Sequence, residues 1–224
     1  MPNNAMSTDP TKAPMSASSS VTSALMKMIA HAPITLVNQY TTTFEQDGPL
    51  NGAGLRTANI DWYLKQRSDC RVLLVSQAPG QLGARWSGIP LTDTQMIADG
   101  RLGSGYDYTH LASEPSSRAV HAGLGDWHEQ VLLWSVVPWH PAGQTPDSNR
   151  KPTDEEIAAG TALLSTFVTE RDFDLIVGLG AVAHAVLTAL GISSERLPHP
   201  FYDGTDSCTD AIRDRMERYF YATR

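Results

Sequence analysis

Short unbroken apolar runs punctuate the chain at wide intervals. Val72-Leu73-Leu74-Val75 stops at the turn-forming Gln77-Ala78-Pro79-Gly80. Val131 to Val137 is closed by Pro138-Trp139-His140-Pro141, and Asp174-Leu175-Ile176-Val177 runs into Gly178-Leu179-Gly180. Such runs fit strands buried on both faces, because period-2 alternation disappears when neither face meets water. Glu195-Arg196-Leu197-Pro198 is a shorter candidate for a fourth strand and ends at His199-Pro200.

Helical spacing separates these runs. Val21 to Ala30 and Thr57 to Lys65 read as helices, the latter with Ile60 and Leu64 one turn apart. Thr153 with Glu156 forms a capping box, and Ile157, Leu163, Leu164, Phe167 and Val168 supply the apolar face behind it. Ala181 to Leu190 stops at Gly191. A last helix is expected from about Ser207, capped with Asp210, with Ile212, Met216 and Tyr219 on one side. Thr41 to Gly54 reads as a loop, and Gln81 to about Ser117 as a long irregular stretch of the kind that carries function. Strands alternating with helices predict an α/β protein, a three-layer α/β/α sandwich around a mostly parallel four-stranded sheet.

The chain has 224 residues, 41% of them hydrophobic and 18% charged, enough apolar material for a core. Residues 1–20 are polar and rich in Ser, Thr and Pro, and are expected to be a disordered tail before one domain over 21–224. No apolar run reaches the roughly 18 residues of a membrane span, and the first residues carry no signal-peptide profile. A soluble, cytoplasmic monomer is expected. Two cysteines, Cys70 and Cys208, exclude a disulfide framework, an all-cysteine zinc site and an all-cysteine iron–sulfur cluster. None of the seven histidines pair at the helical spacing that suits zinc, so no metal and no cofactor are expected. The net charge of −7 argues against a broad basic nucleic-acid surface. Gly178-Leu179-Gly180 lacks the third glycine of a dinucleotide fingerprint, and neither a Walker-type phosphate loop nor a Gly-x-Ser-x-Gly elbow occurs.

Parallel α/β sheets bind ligands beyond the carboxyl ends of their strands. The segments there are Gln77 to Gly80, Ser135 to His140, Gly178 to Gly180 and His199 to Tyr202. In order and context they resemble the uracil-DNA glycosylase superfamily. Bacterial and archaeal members carry a Gly-x-Ala-Pro-Gly type turn after the first strand, where this chain has Ser76-Gln77-Ala78-Pro79-Gly80. Their Thr-Gly-x-Pro-Phe is mirrored by Ser87-Gly88-Ile89-Pro90-Leu91. Their Asn-Arg-x-Pro-Thr-x-Glu-Glu is matched closely by Asn149 to Glu156, and their His-Pro-Ser by His199-Pro200-Phe201. The resemblance spans about Arg71 to Gly204, and the two cysteines place the chain outside the iron–sulfur branch.

The resemblance implies a monofunctional glycosylase that flips uracil out of DNA and hydrolyses its N-glycosidic bond in base excision repair. It implies His199 as the donor that stabilises charge on the uracil oxygen; the plainer alternative is a histidine satisfying a loop backbone. Gln77 stands where many members have a carboxylate or amide that places the water, and it can orient water without acting as a base. Asp93 is the alternative water activator, or else an ordinary loop acid. Ala78, Pro79, Gly80, Leu91 and Ser135 are the expected base-binding residues. Ser135 replaces the base-reading Asn, and Leu91 replaces a stacking Phe, giving up the roughly 1–3 kcal/mol of a base–aromatic contact. Trp86 or Trp139 stacks instead, or both are core. Arg85, Pro141, Gly143 and Arg150 are the expected DNA-backbone contacts, with solvated charge as the alternative for the arginines. Phe201 and Tyr202 either wedge into the vacated base stack or cover the sheet edge. Two further readings stand beside uracil: a glycosylase for hypoxanthine or xanthine, and a non-catalytic member that binds nucleic acid.

Overall fold

The computed structural model describes residues 17–145 and 147–222. The tail expected over 1–20 lies outside the described residues as far as 16, and the first helix, α1 (Ala17–Ile29), already begins at Ala17. The remaining elements are α2 (Gly52–Gln66), β1 (Val72–Ser76), α3 (Ala84–Ser87), α4 (Thr94–Ala98), α5 (Pro115–Leu124), β2 (Val131–Ser135), α6 (Asp154–Thr169), β3 (Leu175–Leu179), α7 (Gly180–Ala189), β4 (Glu195–Leu197) and α8 (Thr205–Ala222).

The four strands form one sheet in the order β2-β1-β3-β4, and every pairing is parallel. The three apolar runs are its buried centre, and all five residues of each of β1, β2 and β3 are buried. Short β4 is the partly exposed edge. Ser76 lies opposite Ser135, and Val75 opposite both Trp134 and Gly178, so β1, β2 and β3 end at one level. Helices α5 and α8 pack together as one group, and α1 packs on α2 and α6 as another, completing the α/β/α sandwich. The second apolar run leaves the strand at Ser135, yet the amides of Val136 and Val137 still donate to the carbonyls of Ser76 and Gln77, at 2.8 and 3.0 Å.

Four helices depart from the expected pattern: α2 starts early, short α3 and α4 lie within the stretch read as irregular, and α5 begins at its end. The segment read as loop to Gly54 is helical from Gly52, with the Asn51 side chain accepting from the Gly54 amide at 3.0 Å. Glycine is a poor helix former, which disguised this turn. Gly52 is needed there because a Cβ would collide with the Asp47 carboxylate. Helix α5 begins inside the stretch read as irregular to Ser117 and runs on to Leu124; Pro115 at its first position is the signal that marks it.

The expected capping box is present: Glu156 N donates to Thr153 Oγ1 at 3.3 Å, and Thr153 N to Glu156 Oε2 at 2.9 Å. Arg150 grips the same carboxylate with two bonds of 2.7 and 2.6 Å, and Thr35 Oγ1 adds a third at 2.5 Å. These donors, Arg150 foremost, outweigh burial and hold Glu156 down at about 2. Its folded-state value is depressed, so the stabilisation is present above the ordinary carboxylate range near 4.3 and fades as pH falls towards about 2. Glu156→Gln is expected to lower stability by about 1–3 kcal/mol at pH 7. The gap to wild type should narrow in acid, checked by urea unfolding at both pH values.

Candidate active site

A cavity of about 490 Å³ opens at the carboxyl ends of the strands, within the range of small-ligand sites. Ser76 and Gln77 from the end of β1 and the Ala78-Pro79-Gly80 turn form one side. Leu91, Glu114, Pro141 and Arg150 contribute to the wall, and His199 to Tyr202 stand across it.

His199 sits in a turn that closes on itself. Its amide donates to Asp203 Oδ2 at 2.7 Å, and its carbonyl accepts from Asp203 N at 2.9 Å. The amides of Phe201 and Tyr202 both donate to His199 Nδ1, at 3.1 and 3.4 Å. A backbone N–H can only donate, so Nδ1 carries no proton and the neutral ring has its hydrogen on Nε2. Burial lowers the His199 pKa against the opposing pull of Asp203, which favours this neutral form. The ring lies over Gly180, whose φ is +83°, and a Cβ there would come within 2.8 Å of His199 Cβ. The Gly178-Leu179-Gly180 turn is therefore a tight strand-to-helix junction that makes room for the histidine.

Ser87-Gly88-Ile89-Pro90-Leu91 is a second compact turn. Ser87 Oγ accepts from Ile89 N at 3.0 Å and donates to the Thr92 carbonyl at 2.7 Å. Leu91 takes a φ of +51°, a conformation leucine rarely adopts, and its side chain joins the cavity wall. At the mouth, Phe201 and Tyr202 are 74% and 54% exposed. The Lys151 ammonium lies 5.4 Å from the Tyr202 ring centroid.

Several expected site residues are not brought to the cavity. Ser135 is buried and does not line it; its hydroxyl lies 2.8 Å from that of Ser76, a residue that does line it. Asp93 is fully buried; its two oxygens accept from the amides of Met96 at 2.9 Å and Glu114 at 2.8 Å. Both oxygens thus serve helix starts. The Arg85 side chain is 2% exposed, bound to Asp147 at 2.7 Å and packed against the Phe44 and Trp86 rings, 4.5 and 4.7 Å from their centroids, which leaves little of it for a phosphate. Gly143 lies off the lining, in a loop where its amide donates to the Ser148 carbonyl at 3.1 Å. Arg150 does line the cavity, although its guanidinium is committed to Glu156. Trp86 and Trp139 are both buried, and Trp139 Nε1 donates to the Ile29 carbonyl at 2.8 Å. The other strand-end imidazole, His140, is buried with Nδ1 3.0 Å from the Pro79 carbonyl, and so steadies the first turn.

Glu114 has no local sequence signal and is not among the expected site residues. It lies at the start of α5 with its carboxyl against the Gly80–Gly83 turn, where a Cβ on either glycine would collide with it. Its Oε2 accepts from Ser117 Oγ at 2.8 Å. Burial pushes its pKa up; the Ser117 bond opposes this and the Asp93 charge adds to it. No grouping of three or more His, Cys, Asp or Glu suited to a metal occurs among the described residues. No helix among them is long and apolar enough to cross a membrane.

The fold is a parallel α/β/α sheet whose strand-end cavity is walled by a proline–glycine turn and a neutral histidine. The chain belongs to the uracil DNA glycosylase superfamily, whose family model matches residues 65–216. Membership supports a DNA glycosylase, a hydrolase that acts on DNA. The crystal structure of wild-type Pedobacter heparinus SMUG2 is similar in fold, with a TM-score of 0.61 over 91% of this chain and 98% of that one at 14% identity. No curated protein sequence matches the chain.

Proposed function

We propose that the protein is a monofunctional glycosylase that extrudes uracil from DNA, seats it in the 490 Å³ cavity and hydrolyses its N-glycosidic bond, in base excision repair. The observation that carries this reading is His199. Its Nδ1 is saturated by two backbone amides, which leaves Nε2–H as the one ring donor. Breaking the bond sends an electron pair onto the base and leaves an oxocarbenium-like sugar. A fixed neutral donor at the developing oxyanion lowers the barrier without having to reorganise.

Gln77 is assigned to orienting the water, and Ala78-Pro79-Gly80 and Leu91 to packing the base. Ser135 acts through Ser76 rather than by direct contact. Phe201 and Tyr202, exposed at the mouth, are placed to fill the space the base vacates. Pro141 and the exposed cation Lys151 border the entrance, whereas Arg85 and Arg150 are tied to carboxylates. Backbone contact thus rests on few free cations, and affinity should fall on adding salt.

A second reading, release of hypoxanthine or xanthine, is favoured by the end of β2. Ser135 stands where an amide would read a pyrimidine edge, and no Asn or Gln replaces it from that strand. A panel of duplexes with a single uracil, hypoxanthine or xanthine tests both. Fastest release of uracil supports the first reading, and fastest release of a purine the second. Binding without release of any base leaves a non-catalytic binder.

A further inference from the structure

Gln77 is an amide and takes no proton from water, and Asp93 is sealed away from the cavity with both oxygens occupied. Hydrolysis still produces a proton from the attacking water. Among the described residues, Glu114 supplies the one carboxyl that lines the cavity.

We propose that Glu114 is the catalytic base of the reaction, receiving the proton of the water that attacks the sugar. The role rests on the glycosylase reading above. Its geometry comes from three sides. The Glu114 amide is tied to Asp93 Oδ2 at 2.8 Å, so the buried aspartate fixes the backbone from which the glutamate projects. Ser117 Oγ holds Oε2 at 2.8 Å, and no donor among the described residues bonds Oε1. Gly80 and Gly83 carry no side chain, and a Cβ on Gly80 would occupy the place of Oε1. The proline–glycine turn next to Gln77 is thus shaped around this carboxyl.

The step balances simply. The C1′–N bond breaks and its electron pair leaves with the base. A lone pair of the water oxygen forms the new C1′–O bond. One water proton passes to Glu114 Oε1 and from there to solvent or to the departing base. Burial, reinforced by Asp93, makes the carboxylate a better proton acceptor than an exposed one. Asp93 is the charged neighbour that acts on it, and the other charged or titratable groups lining the same cavity are Arg150 and Lys151 from the loop before α6, His199 and Tyr202.

The test is single-turnover base release across pH, on whichever duplex the wild type cleaves. Glu114→Gln keeps the shape and should slow release by roughly a hundredfold or more, with unchanged affinity for a duplex carrying an uncleavable 2′-fluoro nucleotide. Glu114→Asp should retain part of the rate, and added formate should restore part of the activity of Glu114→Ala. Wild-type activity should fall in acid as the carboxylate is protonated, and Glu114→Gln should lose that component. A Glu114→Gln protein within about threefold of wild type at every pH overturns the proposal. So does an intact binder that formate does not rescue. Failure of the wild type to release any base overturns the glycosylase reading itself, a result distinct from either.

Discussion

His199→Ala is expected to slow base release by roughly a hundredfold or more while the protein stays folded, the scale of losing one oxyanion donor. The side chain is held from outside by main-chain amides of Phe201 and Tyr202 and by the glycine surface of Gly180, so its removal leaves the sheet and core untouched. Affinity for an uncleavable duplex should change far less than the rate, because the hydrogen bond strengthens only as charge builds on the base. His199→Gln presents an amide donor in similar space and should lie between the two. The rate should also fall in acid. Burial lowers the pKa of His199, so the neutral ring is favoured and it charges below its ordinary range. A charged ring can no longer accept from the two amides, and the turn that aims it is lost. A His199→Ala rate equal to wild type removes the histidine from the chemistry.

The largest expected loss of stability lies away from the cavity. Asp47→Ala should destabilise the protein by about 3–5 kcal/mol, read from urea or thermal unfolding. Arg56 and Asp47 are both fully buried and meet through two bonds of 2.9 and 3.0 Å. Arg56 also donates to the carbonyls of Gln39 and Thr42, each at 2.7 Å, while Asp47 accepts from Phe44 N at 2.7 Å and from Thr109. One pair therefore ties the loop before α2, the start of that helix and the loop around Thr109. Removing the carboxylate leaves a guanidinium buried without its counter-charge, which costs more than the pair itself contributes. Burial alone would raise the Asp47 pKa, but the bonds from Arg56, Thr109 and Phe44 prevail and lower it. Its contribution is thus present above the ordinary carboxylate range and is lost as pH falls through the depressed value. A loss below about 1 kcal/mol at pH 7 would contradict this account of the pair.

The sheet was readable because its evidence is local. Leu73, Leu132 and Ile176 sit in continuous apolar runs, and strands buried on both faces leave no other pattern. Thr153 and Glu156 announced their helix because a capping box acts within four residues. The four strand-end segments were readable as a set, since parallel topology brings carboxyl ends together whatever the loops do. What stayed hidden depends on contacts between distant residues. The first turn of α2 carries Gly52 because Asp47 occupies the space above it. Asp93 and Glu114 are separated in sequence but joined through one amide, and that bond decides which acid caps a helix and which faces the cavity. Arg85 has the composition of a phosphate contact, and only the fold reveals Phe44, Trp86 and Asp147 around it.

The most direct test is single-turnover release from a duplex with one uracil, at low salt, with the abasic product read by alkaline strand cleavage. The account predicts that the wild-type protein converts the uracil strand and leaves the matching thymine duplex intact. An uncleaved uracil strand, after long incubation with folded protein that binds the duplex, would contradict it.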